Sequence, residues 1–183
     1  MKQRYSSKDI SSIKNRQIFF DANVILYIFW PTGKYTCEKH YSSIFGLLIR
    51  QNNVLATDFI VISETLNRII RIEYQKYLYE RNLKNDDYKF KEYRDSIDGK
   101  EVLNDIYSIV KSKILTKFSI IGKTFQKSDI ETFLTVDSMD FSDNAILSLC
   151  KENNCILLTN DKDFIGSDIE ILSSHPALLK NNE

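Results

Sequence analysis

The sequence is poor in glycine and proline, with five glycines and two prolines among 183 residues. All-β folds with many tight turns depend on these two residues, so their scarcity argues against a loop-rich β fold. No apolar run reaches the ~18–20 residues that a membrane span needs. The polar N-terminus also lacks the apolar centre of a signal peptide. We therefore expect a cytoplasmic protein with no membrane partner.

Cysteine and histidine patterns that bind metals are missing as well. Cys37, Cys150 and Cys155 have no zinc-like spacing, and the two histidines stand far apart, so a zinc site is not expected. The cysteines are predicted to be buried, reduced thiols. The net charge is zero, which by itself does not favour a nucleic-acid binder. If several acids were gathered in one metal site, however, the rest of the surface would be positive on balance.

Short apolar runs alternate with helical patterns along the chain. Strands are predicted at 17–21, 54–56, 118–121, 155–158 and 169–172. Helices are predicted from residue 23, over 36–51, from 59, over 103–114, over 127–134 and from 143. For the last of these, Ser142 is the predicted N-cap, and Asp140 is either a residue at the helix entry or a spare acid. This alternation is typical of a parallel α/β sheet covered by helices on both faces.

The chain is expected to form one main domain. Residues 1–16 are predicted to be a polar N-terminal extension, 17–175 a single domain and 176–183 a C-terminal tail. A helical and charged insertion is predicted at about 74–114. Within it, ten of the nineteen residues in 82–100 are charged, so a solvated helix, a loop and a mobile excursion all remain open.

Acidic residues follow two of the predicted strands directly. Asp21 ends the first apolar run, and Asp161 follows the fourth. Ligands of parallel sheets bind beyond the carboxyl ends of the strands, so both acids are expected at one rim. Glu64 lies on the polar stripe of a helix together with Arg68 and Arg71. Carboxylates are preferred ligands of Mg²⁺, and acids gathered without metal should raise one another's pKa.

Four acidic segments in this order resemble the PIN domain family. They are the segments 19–26, 61–66, 143–147 and 159–164, which carry Asp21, Glu64, Asp143 and Asp161. The resemblance covers roughly residues 17–73 and 115–174. Residues 74–114 look longer than in compact bacterial toxins of this family, and residues 1–16 are an addition.

The resemblance implies a three-layer α/β/α fold with a central parallel sheet of about four to five strands. It also implies a Mg²⁺- or Mn²⁺-dependent endoribonuclease with Asp21, Asp143 and Asp161 around the principal metal. Glu64 would complete the shell or orient the attacking water, and Asp163 would support a second metal. Asn23, Thr159 and Asn160 would be supporting residues. The implied partners are an RNA substrate, an antitoxin protein and a second copy of the chain.

Each of these residues also has a purely structural interpretation. Glu64 and Arg68 have the spacing of a surface ion pair, worth a few tenths of a kcal/mol. Asp143 would be a favourable charge at a helix N-terminus, and Asp161 and Asp163 would be turn formers. Arg68 and Arg71 are either phosphate contacts or solvated side chains.

Two other functions use a similar pattern of residues. A Mg²⁺-dependent phosphatase or phosphotransferase also carries aspartate at a strand end, but its nucleophile is usually followed two residues later by a second acid, where this chain has Asn23. A catalytically silent PIN-like binding module would be favoured by the loss of one acid. All four acids are present, so the nuclease interpretation comes first.

Overall fold

The computed structural model describes residues 2–136 and 139–180, in which short strands alternate with helices. The strands are β1 (Arg4–Tyr5), β2 (Gln17–Phe20), β3 (Val54–Thr57), β4 (Ser119–Ile120), β5 (Ile156–Leu158) and β6 (Ile171–Leu172). The helices are α1 (Ala22–Phe29), α2 (Tyr35–Arg50), α3 (Phe59–Glu80), α4 (Phe90–Asp95), α5 (Ile97–Ile109), α6 (Leu115–Lys117), α7 (Lys127–Phe133), α8 (Phe141–Glu152) and α9 (Pro176–Leu179). Across these ranges, no helix is long and apolar enough to cross a membrane.

Within the described residues, six strands form one parallel sheet in the order β1-β6-β5-β2-β3-β4. The central strand β2 pairs with β5 on one side, where Phe19 lies opposite Leu157, and with β3 on the other, where Phe19 lies opposite Ala56. The predicted parallel α/β/α fold is confirmed, with six strands in place of four to five. Because all strands run the same way, their carboxyl ends share one edge.

The two central strands are apolar because both of their faces are covered. Ile18, Phe19 and Phe20 in β2 are fully buried, as is every residue of β5, which matches the continuous apolar runs of parallel sheets. Cys150 and Cys155 are buried next to this core, as predicted, whereas Cys37 is only half-buried.

Residues near both ends of the chain also contact the sheet. In the segment predicted as a polar extension, β1 pairs with β6, and Ile10 and Ile13 are 1% and 2% exposed. In the segment predicted as a tail, Leu178 of α9 is buried. Residues 181–183 of that tail lie outside the described residues. The division into extension, domain and tail stays a prediction.

The segment predicted as an insertion is largely helical and packs on an apolar cluster that it shares with α1 and α3. A π-helical segment, Val110–Ile114, joins α5 to α6. In the charged stretch 82–100, residues 82–89 form turns and loop, whereas α4 and the start of α5 account for most of the rest, so both loop and helix are found among the possibilities left open by the sequence. A second apolar cluster forms beneath it from Leu26, Ile69, Ile70, Tyr74, Leu78, Tyr93 and Ile106.

Candidate functional site

Asp21 lies at the carboxyl edge of the sheet, where β2 gives way to α1. Its backbone is extended, and its carboxylate accepts the Ala22 N–H at 2.6 Å, so it is the N-cap of α1. The same carboxylate accepts hydrogen bonds from Asn23 Nδ2 and Thr159 Oγ1, both at 2.6 Å. These three donors hold a carboxylate that is only 5% exposed.

The surroundings of Asp21 raise its pKa to about 6. Burial is the largest cause, since it penalises the charged form. The hydrogen bond from Thr159 opposes this shift, while the negative charges of Glu64 and Asp161 add to it. Among the described residues, the main influences on this pKa include no positive charge.

Asn23 and Thr159 tie the ends of β2 and β5 together. Besides its bond to Asp21, Asn23 accepts the Asn160 N–H through Oδ1 at 3.1 Å. Thr159 Oγ1 accepts the Asp161 N–H at 2.9 Å. Asn160 contributes through its backbone, because its side-chain oxygen accepts the hydroxyl of Tyr41 at 2.8 Å. Two of the three predicted supporting residues thus contact Asp21 directly.

Asp161 begins a short 3-10 turn, Lys162–Phe164, just beyond β5. Its carboxylate accepts the Asp163 N–H at 3.2 Å. The apolar Phe164 anchors the turn, since its side chain is fully buried. Asp163 is exposed at the rim, so the turn places one acid towards the site and one at its edge.

Asp143 lies in the first turn of α8, but Ser142 is not the N-cap that the sequence predicts. The N-cap is Asp140, whose carboxylate accepts the Asp143 N–H at 2.9 Å and the Ser142 hydroxyl at 2.8 Å. Burial would raise the pKa of Asp140, but these hydrogen bonds hold it below its ordinary value. Aspartate suits the N-cap position as well as serine does, and Asp140 lies three residues ahead of the N–H that it accepts.

The pKa of Asp143 is raised to about 7. Burial is again the largest cause. Repulsion from four other carboxylates adds to it, namely those of Asp140, Asp21, Asp161 and Asp163. The fold therefore brings the strand-end acids and the start of α8 into electrostatic contact.

Glu64 faces the same group from α3, but it already has a cationic partner. Its carboxylate lies 2.7 Å from the Arg68 guanidinium, one helical turn away. Burial raises the pKa of Glu64, the charge of Arg68 opposes the shift, and those of Asp140 and Asp161 add to it. Both interpretations of Glu64 thus have support, the surface ion pair and the approach to the acidic group.

Asp58 is an acid at this edge that sequence reasoning missed. It follows β3 directly, caps α3 by accepting the Val61 N–H at 2.8 Å, and is 5% exposed. Burial raises its pKa, and its charge contributes to the raised pKa of Glu64. The signal was available, since an acid after the apolar run of β3 is the same pattern that singled out Asp21.

The chemistry of these side chains suits a hard divalent cation, since they are carboxylates that repel one another. Their positions are not yet those of ligands around one ion. In the described part of the chain, no group of three or more His, Cys, Asp or Glu side chains is arranged to hold a metal. One reason is that two of the carboxylates already have other partners. Glu64 forms an ion pair with Arg68, and Asp21 accepts three hydrogen bonds.

Arg68 and Arg71 line the clefts beside the acids. A first cleft of about 470 Å³ contains both arginines together with Glu64 and Asp140. A second cleft of about 380 Å³ lies on their other side and contains Asn23. The guanidinium of Arg71 is 4.6 Å from the ring centroid of Phe90, which α4 supplies. The insertion therefore takes part in holding Arg71.

The sequence matches the model of a known family. No curated protein matches the sequence. A family model described as PIN domain matches residues 18–168. This range begins inside β2, ends just before β6 and contains every acid described above. The match spans well over half of the chain, and the chain therefore belongs to the PIN domain family.

Proposed function

We propose that the protein is a metal-dependent endoribonuclease that hydrolyses RNA phosphodiester bonds. Its family has a nuclease-type fold and commonly contains metal-dependent ribonucleases. The observation that carries the proposal is the gathering of Asp21, Asp143 and Asp161 at the carboxyl edge of the sheet, where the charge of Asp161 raises the pKa of the other two and that of Asp21 raises the pKa of Asp143. Repulsion of this kind costs stability in the free protein and is relieved by a bound cation.

In this proposal, Asp21, Asp143 and Asp161 hold the principal Mg²⁺ or Mn²⁺ ion directly or through water. Glu64 completes the shell or orients the attacking water, and Asp163 supports a second ion. When bound, a divalent ion neutralises charge on the phosphate and lowers the pKa of a water molecule. The hydrogen bonds from Asn23 and Thr159 fix the orientation of the Asp21 carboxylate.

The two arginines are proposed to bind phosphates of the RNA. Arg68 neutralises Glu64 in the free protein, and a phosphate offers its guanidinium an alternative partner of the same charge. Arg71 is held by a cation–π contact that leaves its N–H groups available as donors. Both side chains are exposed beside the acids.

We also propose that the protein is the toxin of a toxin–antitoxin pair. Nucleases of this family often pair with antitoxins, and a partner protein would cover the clefts at Arg68 and Arg71. A homodimer and a cytoplasmic location stay predictions. Arrested growth on expression, reversed by a small protein encoded next to the gene, would support the toxin role.

The experiment that tests the nuclease is cleavage of a mixed cellular RNA pool with Mg²⁺, Mn²⁺ or EDTA. Metal-dependent cutting is expected for the wild type and should be lost in Asp21→Asn. The matched control is Asp105→Asn, which removes an exposed carboxylate of α5 and should leave cutting intact. Cutting that survives both EDTA and Asp21→Asn would contradict the proposal.

A further inference from the structure

The clefts beside the acids have a neighbouring cleft along α1 and the start of α2. The first and second clefts share Arg68 and Arg71. A third cleft of about 610 Å³ shares Tyr27 with the second. Asn23, which contacts Asp21, lies in the second cleft between the acids and the third. The three clefts therefore adjoin one another in series through shared residues, and we call this series the groove.

The far end of the groove is aromatic. There the exposed ring of Tyr35 lies beside Trp30 and Tyr27, whose side chains contact other residues. Trp30 donates its Nε1–H to Glu73 at 2.8 Å. Tyr27 stacks on the ring of Tyr41 with centroids 5.7 Å apart. Tyr35, at the first position of α2, is 81% exposed beside them. An exposed ring next to fixed aromatic walls is a surface on which a planar group can stack.

The groove also carries positive charge between its two ends. Lys34 lies in the second cleft and Lys39 in the third, in addition to the shared arginines. Lys34 is the N-cap of the 16-residue helix α2 and makes no side-chain capping bond, and the acid Glu38 lies in the first turn of the same helix. The acid Glu38 is turned to Thr32, whose N–H and hydroxyl it accepts at 2.7 and 2.8 Å.

We propose that this groove binds the unpaired strand of the RNA beyond the cleavage site, with one base stacked on Tyr35 beside Trp30. The phosphates of that strand would lie along Arg71, Arg68 and Lys34. The inference rests on the proposed nuclease function and adds a base-binding subsite to it. Proteins bind single-stranded nucleic acid through cations that lie along its phosphate backbone and through aromatic rings on which its bases stack. The groove offers both. A duplex keeps the faces of its bases inside the stack, so it cannot use Tyr35.

The chain contains a single tryptophan, Trp30, so its fluorescence reports on this subsite alone. Protein in EDTA would be titrated with a single-stranded RNA, with the same RNA carrying abasic sites, and with its duplex. The intact single strand should quench Trp30, whereas the duplex and the fully abasic strand should quench it far less. Tyr35→Ala should weaken binding of the single strand about 5- to 150-fold, the range of a lost base stack.

Two further variants make the result specific to the ring at position 35. Tyr35→Phe keeps the stacking surface and should bind within about twofold of the wild type. Tyr79→Ala removes another exposed tyrosine, 87% exposed near the end of α3, and should leave binding unchanged. Circular dichroism would establish that each variant is folded.

The outcomes separate this inference from the nuclease proposal. Metal-dependent RNA cutting, combined with equal affinities of the wild type and Tyr35→Ala, would overturn the groove inference and leave the nuclease standing. Equal quenching by single strand and duplex would overturn it in the same way. If the wild type neither cuts nor binds RNA, both proposals fail.

Discussion

At the residue scale, the two carboxylates with the largest shifts predict how stability depends on pH. The pKa of Asp21 is about 6 and that of Asp143 about 7, both above the ordinary value of 3.8. The folded state therefore holds protons that the unfolded state has already released. Between about pH 4 and 7, the unfolding free energy of the metal-free protein should fall as these groups ionise.

Asp143→Asn removes one of these charges, so the unfolding free energy of the variant should decrease less between about pH 4 and 7 than that of the wild type. In EDTA at about pH 7.5, we expect the variant to be about 1–2 kcal/mol more stable than the wild type, a value discounted because Asp143 is partly exposed. Below about pH 4 the two proteins should have the same stability. Urea denaturation across this range would measure the difference. A variant that is less stable at every pH would identify Asp143 as a purely structural part of the α8 N-terminus.

The same residues show how far sequence reasoning reaches at this scale. Asp21 was identifiable because an acid directly after a buried strand needs a partner or water. Asp58 has the same position after β3, but it lies ahead of the segment 61–66 that carries the resemblance. Serine and aspartate both suit the N-cap position, so the sequence allows Ser142 and Asp140 alike. Only the backbone settles which residue begins α8.

At the element scale, Gly99 is required by the packing of α4 against α5. A Cβ built on Gly99 would lie 2.0 Å from the backbone oxygen of Tyr93, which cannot move without shifting α4. Gly99→Ala is therefore expected to lower the unfolding free energy by about 2–3 kcal/mol. Gly46→Ala in α2 meets no atom within 4 Å and should raise it by about 0.5–1 kcal/mol. Thermal unfolding of both variants measures these changes. Equal changes in unfolding free energy would contradict the close contact between position 99 and the Tyr93 backbone.

Elements that depend on distant contacts were the ones that the sequence did not reveal. β1 has two residues, too few for a periodic pattern, and its position follows from pairing with β6 and from the hydrogen bond of Tyr5 to Glu170 at 2.7 Å. The helices of 82–100 were obscured by their charge, although Tyr93 is 2% exposed. Longer elements such as α2 and α3 were predicted because their apolar faces repeat over several turns.

At the scale of the whole molecule, the parallel topology explains why distant acids meet. Asp21, Asp58 and Asp161 each follow a strand of the same sheet, and α8 begins beside them. Their order in the sequence gives no distances. The shared edge was therefore predictable from the strand pattern, and the ion pair of Glu64 with Arg68 from their spacing, but the sequence could not show that Glu64 combines this pair with an approach to the other acids. The balanced net charge agrees with this arrangement, since acids gathered at one edge leave the basic residues elsewhere.

The last prediction follows from that concentration of charge. In excess Mg²⁺ or Mn²⁺ at about pH 7.5, the melting temperature of the wild type should rise, because an ion that binds only the folded state stabilises it by about 2.7 kcal/mol at a hundredfold excess over its Kd. Asp143→Asn should be more stable than the wild type in EDTA and should gain much less stability from the metal. The difference in melting temperature between the two proteins should therefore shrink or change sign when the metal is added. NaCl of equal ionic strength controls for screening. A metal-induced rise of the same size in both proteins would mean that the ion binds elsewhere and that Asp143 does not hold it.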